Sequence, residues 1–195
     1  MLKIRYRSTN CFFVESGSTG KLLAVDAGWP CTMLEYQRGM KSVDLSVKKI
    51  AWCVVTHFHM DHAGLVEDFI NCGITCLVTP EQVLCIDAME TTILKNREYA
   101  AYKRIDKSKL VIADLAALNA KLRALGIAGT LVSTPSHSTD SLSFIADNRE
   151  AIIGDLAPLG QIMDDDKAAL ADWARIKEHG AFRVFPSHAS EFDIG

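Results

Sequence analysis

The segment IAWCVVTHFHMDH, residues 50–62, joins an apolar run to a dense cluster of polar side chains. Residues 50–56 are rich in Val and aromatic residues and predict a buried strand. Side chains alternate along a strand, so continued extension would point His57 and His59 to the same face. Asp61 and His62 follow at the turn into a helix, where the chain can bend back toward the same cavity. Imidazole and carboxylate groups suit Zn²⁺, Fe or Mn²⁺, so this segment predicts an open metal site.

Three further candidate ligands each come just past a predicted strand. These are His137 in TPSH, Asp155 in IIGD and His188 in FPSH. Strand ends are where α/β folds place their ligands. A chance cluster or a pH-sensitive surface loop is the alternative interpretation of residues 56–62, but neither accounts for these partners. The pattern therefore predicts one metal site assembled from distant parts of the chain.

The composition predicts a single globular domain over residues 1–195. Of the 195 residues, 49% are apolar and 23% are charged, which excludes disorder as the main state. The longest apolar run, Ile50–Val55, is far shorter than the roughly 20 residues of a membrane-spanning helix. The apolar run that follows Arg7 is too short for a signal peptide. Six cysteines fit reduced thiols, and we therefore expect a cytoplasmic protein.

The same figures bear on the partners. A net charge of −3 gives no basic field that would attract nucleic acid. We expect a small-molecule substrate, with neither nucleic acid nor membrane as a partner.

Alternating and periodic apolar patterns predict a mixture of strands and helices. Strands are expected at residues 2–6, 11–15, 21–26, 50–56, 74–78, 130–134, 142–146, 151–153 and 182–185. Helices are expected at residues 32–41, 63–71, 115–125 and 165–178, and another begins at Thr79-Pro80-Glu81, where a capping hydroxyl precedes Pro. Hairpins near the start of each half favour mixed sheets, so the fold class is α/β or α+β.

The order of these motifs resembles the metallo-β-lactamase-fold superfamily of metallohydrolases. The matching signature is H-x-H-x-D-H, then a lone His, an Asp after an apolar strand, and a final His. The segment LAVDAG, residues 23–28, is similar to the family's early strand-end Asp-x-Gly, and SLSF, residues 141–144, resembles its strand after the lone His. The resemblance implies a four-layer αββα sandwich, with two mixed β-sheets flanked by helices and a dinuclear site at one edge.

The resemblance also implies a role for each candidate ligand. One metal would be held by His57, His59 and His137, the other by Asp61, His62 and His188, and Asp155 would bridge both. Asp26 would be a hydrogen-bonding residue. The implied cofactors are two divalent metal ions, Zn²⁺ first, with Fe or Mn as alternatives. A metal-bridging hydroxide would attack a carbonyl or phosphorus, and Asp61 would shuttle a proton.

Within the superfamily, the motifs favour a compact hydrolase of a thioester, lactone, other ester or phosphoester bond. True β-lactamases resemble the chain in fold, but they lack the bridging Asp that Asp155 matches, and they carry secretion signals. The hydroxyacylglutathione hydrolases add a C-terminal helical region that is not expected after His188. The alternative is an oxidoreductase similar to the persulfide dioxygenases, which use one iron. A non-catalytic metal-binding member ranks last, because such members usually lose ligands.

Candidate substrate residues carry weaker signals. Lys95–Lys109 holds six cations and two acids. This segment is either a basic rim that would favour an anionic substrate or a solvated face. Trp29 is either a wall of the pocket or a cover of the core. Tyr99 and Tyr102 are candidates to reach a substrate oxygen.

Overall fold

The computed structural model describes residues 1–194. Its first sheet has the order β1-β2-β3-β4-β5-β6, antiparallel from β1 to β3 and parallel from β3 to β6. Its strands are β1 (Leu2–Tyr6), β2 (Thr9–Glu15), β3 (Leu22–Val25), β4 (Ile50–Val54), β5 (Thr75–Val78) and β6 (Val111–Ile112). This is a mixed sheet, as the hairpin at the start of the chain predicted.

The second sheet has the order β11-β10-β9-β8-β7. Its strands are β7 (Gly129–Ser133), β8 (Leu142–Ala146), β9 (Glu150–Gly154), β10 (Arg183–Pro186) and β11 (Phe192–Asp193). Only β9 and β10 are parallel neighbours in this sheet, so it is also mixed. The α-helices are α1 (Met33–Lys41), α2 (Met60–Ala63), α3 (Val66–Asn71), α4 (Pro80–Lys95), α5 (Leu115–Ala124) and α6 (Lys167–Glu178).

The strand alternation divides the buried side chains between two faces. In β3, Leu23 and Val25 join the core between the sheets, while Leu22 and Ala24 face the helices that cover the first sheet. Tyr36 of α1 packs in that outer layer. Trp173 of α6 packs over the outer face of the second sheet. The predicted αββα sandwich with two mixed sheets is confirmed.

The main departure from the predicted elements lies between residues 60 and 71. The helix expected at 63–71 is split into α2 and α3. α2 begins inside the H-x-H-x-D-H signature of residues 57–62, called the histidine motif below. The break falls beside Gly64, whose amide donates to the carbonyl of Gly28 at 2.7 Å. A Cβ on Gly64 would lie 2.2 Å from the nitrogen of Pro30. This close contact binds the start of α3 to the loop that follows β3.

Other departures are small. β6 and β11 are two residues long, too short for an alternating pattern to reveal.

All six cysteines are free; Cys11, Cys53 and Cys76 are buried, and Cys31 and Cys72 are exposed. Within residues 1–194, no helix combines the length and apolar character that crossing a membrane requires.

Gly28 provides a stability prediction for this region. Its φ is +65°, and a Cβ there would lie 1.6 Å from the Tyr6 hydroxyl oxygen. We expect Gly28→Ala to lower the free energy of unfolding by at least about 2 kcal/mol, from backbone strain and overpacking together. Gly73 is the matched control, because its φ is +80° and no atom lies within 4 Å of its added Cβ. Gly73→Ala should cost only the backbone strain, about 1–2 kcal/mol. Equal losses for both variants in urea titration would contradict the predicted overlap with Tyr6.

Candidate metal centre

Strand ends bring the predicted ligands to one edge of the sandwich. The histidine motif links β4 to α2, and His137, Asp155 and His188 follow β7, β9 and β10 respectively. The seven side chains form two groups, and within each group the ligand atoms lie within 4.8 Å of one another. The first group is His57, His59, His137 and Asp155, and the second is Asp61, His62 and His188.

Asp155 lies between the two groups and presents one oxygen to each. Its Oδ2 is 3.8 Å from His57 Nε2 and 3.7 Å from His137 Nε2. Its Oδ1 is 3.3 Å from both His62 Nε2 and His188 Nε2. A carboxylate in this position can contact two cations at once, which is the role that the resemblance implied for Asp155.

Three polar atoms at the centre of the cluster are buried without a hydrogen-bond partner. They are His57 Nε2, His62 Nε2 and Asp155 Oδ1. Burying a polar atom without a hydrogen bond costs free energy, so such atoms are rare in native proteins. Imidazole nitrogens and carboxylate oxygens that converge without thiolates suit Zn²⁺, Fe or Mn²⁺. The donor set therefore fits divalent metal ions.

The protonation of His57, His137 and Asp155 also suits metal binding. Burial, reinforced by the charge of His62, lowers the pKa of His57 to about 2. Burial also lowers the pKa of His137. Burial opposes ionisation of Asp155, but the nearby His62 imidazole holds the pKa of this carboxyl below its usual range. Neutral imidazoles and an ionised carboxylate are the forms that bind metal.

Partners behind the ligands orient the second group. Asp26 is fully buried, and its Oδ2 lies 2.9 Å from Nδ1 of His62. Its Oδ1 accepts a hydrogen bond from the backbone N–H of Thr56 at 2.7 Å. His188 Nδ1 lies 2.9 Å from the carbonyl oxygen of Ser8, which can only accept a hydrogen bond. Burial opposes a charge on His62, but Asp26, Asp155 and Asp61 raise the pKa of its imidazole well above the usual range, so a metal would displace a proton from Nε2 on binding. Because each Nδ1 donates, Nε2 is the atom of each ring that would hold a metal.

Trp29 lies behind the second group. Its Nε1 donates to the Thr9 hydroxyl at 3.0 Å, and that hydroxyl donates to Asp61 Oδ2 at 3.2 Å. The indole also packs partly against the core on the helix side of the first sheet. Trp29 is not among the residues that line the cleft beside the metal groups. In this placement Trp29 covers part of the core and supports Asp61 through the Thr9 hydroxyl.

The structure does not bring the other candidate substrate residues to the site. Tyr99 is buried, and the Tyr102 hydroxyl lies 3.4 Å from Glu90 Oε1, to which it donates. Tyr102 and Lys103 line a separate cavity beside α1. None of the six cations in Lys95–Lys109 lines the cleft beside the metal groups. The basic-rim hypothesis therefore has no support from this placement.

Sequence reasoning missed Asp140, which connects the two loops of the first group. Asp140 is 3% exposed, and its Oδ2 accepts from the backbone N–H of Phe58 at 2.7 Å. Its Oδ1 accepts from the Ser138 hydroxyl at 2.7 Å. These bonds join the turn of His137 to the loop between His57 and His59. The available signal was an Asp in a Ser/Thr-rich turn, a residue type that often bonds to nearby backbone.

Comparisons with curated proteins find longer relatives. A β-lactamase-like protein 2 homolog of Caenorhabditis elegans is 26% identical over 191 residues, covering 96% of this chain and 58% of the relative. The lactamase-like protein vrtG of Penicillium aethiopicum is 24% identical over 193 residues, covering 96% of this chain and 53% of that protein. The chain thus spans little more than half the length of these two relatives.

Solved structures share the fold at low sequence identity. TTHA1623, in a di-iron-bound form, matches with a TM-score of 0.72 and 19% identity, over 99% of this chain and 94% of that one. The metallo-β-lactamase family protein TTHA1429 from Thermus thermophilus has a TM-score of 0.70 and 15% identity, over 98% of this chain and 73% of that one. Residues 4–188 match the family model described as the metallo-β-lactamase superfamily. The chain belongs to the metallo-β-lactamase superfamily.

Proposed function

We propose that the protein is a hydrolase that uses two divalent metal ions to cleave a thioester, lactone, other ester or phosphoester bond. The observation that carries this proposal is the convergence of seven metal-ligating side chains around Asp155, with three buried atoms unsatisfied. Membership of the superfamily supports a metal-dependent hydrolase in general, and the curated relatives are named lactamase-like. The bond type is our inference.

The seven candidate ligands would bind two ions. His57, His59, His137 and Asp155 would hold one ion, and Asp61, His62, His188 and Asp155 the other. Ions bound there supply a Lewis acid for the carbonyl or phosphoryl oxygen and activate water as the nucleophile. Asp26 and the Ser8 carbonyl hold the imidazoles of His62 and His188 in the tautomer that leaves Nε2 free.

We assign the proton transfer to Asp61. Its side chain is 16% exposed, borders the cleft beside the site, and accepts a hydrogen bond from Thr9. Burial raises the pKa of Asp61, but the nearby His62 imidazole outweighs burial and holds this pKa below its usual range. The carboxylate is therefore ionised, and the oxygen that does not hold the metal is the one that would accept a proton from the reacting group.

Metal removal tests the proposal first. Elemental analysis of protein purified without chelator should find about two Zn²⁺, Fe or Mn²⁺ ions per chain. Chelation should abolish hydrolysis across a panel of thioesters, lactones, esters and phosphodiesters, and addition of the same metal should restore it. Chelation should also lower the melting temperature, because the ions bind only the folded chain. A chelated protein that retains its hydrolytic rate would exclude the proposal.

The oxidoreductase alternative predicts a different result. It would give a single iron per chain, with oxygen uptake on a persulfide substrate. The structure does not favour it, because the second group is complete and shares Asp155 with the first.

A cytoplasmic location is likewise our proposal. It rests on six free cysteines, and fluorescence imaging of a tagged chain tests it.

A further inference from the structure

A cleft of about 450 Å³ lies beside the metal groups. It is bordered by His59 from the first group and by Asp61 from the second. Its volume falls in the range of about 300–1,000 Å³ that is typical of small-molecule sites. A substrate whose scissile bond lies at the metal groups would therefore place an adjoining part of itself in this cleft.

One wall of the cleft is a single face of α4. The residues on this face follow the spacing of successive helical turns, so their side chains line up along the cleft. They are Cys85, Ala88, Met89 and Thr92. Phe58 and Met60 also line the cleft, beside His59. Most of these side chains are apolar, so this part of the cleft offers hydrophobic contact. Ser138, Thr139 and Asp140 contribute polar groups elsewhere in the lining.

The position of this wall is fixed in the fold. Thr79 and Gln82 form a capping box at the start of α4, in which each side chain bonds to the backbone of the other residue. Gln82 Nε2 also donates to the carbonyl oxygen of Val55, one residue past β4, at 2.8 Å. Because His57 lies two residues past Val55, this hydrogen bond also fixes the position of α4 relative to the metal ligands. The cleft is therefore preformed.

The charges around the cleft do not favour an anion. Within residues 1–194, no Lys or Arg side chain lines it, while two of its lining residues, Asp61 and Asp140, are acidic. Two of the cations that follow α4 are engaged elsewhere, since Arg104 pairs with Glu90 at 2.8 Å and Lys107 with Asp87 at 2.7 Å. Away from the metal groups, an anionic group in the cleft would therefore find no Lys or Arg side chain in the described part of the chain to pair with.

We infer that this cleft binds an uncharged, apolar substituent of the substrate, attached next to the scissile bond. The inference rests on the proposed function, because it takes the metal groups as the place of the reaction. It replaces the anionic substrate suggested by Lys95–Lys109 with a substrate that has an aliphatic or aromatic group. Ala88, a small and exposed residue on the wall, then determines how long a group can enter.

Binding of neutral alkanols tests the cleft without requiring turnover. A series from 1-propanol to 1-octanol would be titrated calorimetrically into the protein as isolated. Each methylene that enters the cleft should tighten binding by up to about 4-fold, the equivalent of about 0.8 kcal/mol. The hydroxyl is the same throughout, so the dependence on chain length reports only on the apolar tail. A series without this dependence would overturn the inference.

Substitutions at exposed alanines locate the binding. Ala88→Phe should remove the dependence on chain length, because the ring would occupy the cleft. Ala116→Phe is the matched control, since Ala116 is an exposed residue on α5 outside the cleft lining. Thr92→Phe, a second exposed lining position, serves if Ala88→Phe fails to fold. Retention of the full dependence by both cleft variants would place the alkanols elsewhere and overturn the inference.

Hydrolysis distinguishes failure of this inference from failure of the proposed function. Octanoyl and acetyl thioesters of the same small thiol would be compared, and the octanoyl compound should have the lower KM in the wild type but not in Ala88→Phe. Equal KM values for the two substrates would overturn the inference and leave the hydrolase intact. A metal-loaded protein that cleaves no compound of the panel would overturn the proposed function, while the alkanol series still decides what the cleft binds.

Discussion

Asp155→Ala should lower the hydrolytic rate at least about 1,000-fold, because it removes a direct ligand, whereas losing a partner behind a ligand costs about 10–100-fold. Both carboxylate oxygens lie between the two groups, within 3.8 Å of ring nitrogens of His57, His62, His137 and His188. Without them, the two groups lose the carboxylate that joins them, and among the described residues only the Asp61 carboxylate still faces Nε2 of His62 and His188. The metal content should therefore fall below two ions per chain together with the rate.

The fold should survive this substitution. Asp155 follows the end of β9, and its Oδ1 has no hydrogen bond to lose. We expect the metal-free variant to melt within about 5 °C of the metal-free wild type, which corresponds to about 1–2 kcal/mol for a domain of this size. Asp165→Ala, at an exposed position before α6, is the matched control and should keep full metal content and rate. Undiminished hydrolysis by Asp155→Ala would exclude the metal groups as the site of reaction.

Asp26→Asn should separate the orientation of His62 from the stability of the fold. The asparagine Oδ1 can still accept from the Thr56 N–H, but its amide nitrogen then faces His62 Nδ1. His62 Nδ1 must then accept, so the ring proton moves to Nε2, which loses the lone pair that a metal needs. We expect metal affinity at the second group to fall about 10–100-fold while the protein still folds.

Asp26→Ala should add a loss of stability to the loss of metal. It leaves the buried Thr56 N–H and His62 Nδ1 without their partner, which costs about 1–3 kcal/mol for each group. Asp114→Asn is the control for the amide substitution, because Asp114 caps α5 at an exposed position and asparagine caps equally well. Competition with a chromogenic chelator measures the metal affinity. An Asp26→Asn variant that binds both ions as tightly as the wild type would refute this role of Asp26.

Local sequence patterns predicted most of the secondary structure. β1 and β8 have the predicted bounds, and most other elements differ by one or two residues at an end. The break between α2 and α3 could not be predicted, because it depends on the approach of Gly64 to Gly28 and Pro30, which are distant in sequence. The periodicity of apolar residues indicates which side chains a segment buries. It does not indicate which distant part of the backbone packs against that segment.

The candidate ligands were predicted because they combine a distinctive residue type with a position at a strand end. The candidate substrate residues Trp29, Tyr99 and Tyr102 do not line the cleft, because aromatic character does not say which way a side chain faces. Trp29 is a residue type that often lines pockets. Its indole N–H instead donates to the Thr9 hydroxyl, which donates to Asp61. The cleft instead uses Ala88, Met89 and Met60, residue types that any helix or core contains.

The sequence by itself therefore indicated a mixed α/β or α+β fold and seven candidate ligands, and the family resemblance implied the αββα sandwich with these ligands at one edge. Strand-end position and residue chemistry are local properties, so they can be read along the chain. Tertiary structure alone decided that Asp155 presents one oxygen to each group, that Asp26 and Ser8 fix the imidazole tautomers, and that α4 forms an uncharged wall. Those contacts join residues up to 180 positions apart, and their distances follow only from how the two sheets and their helices pack.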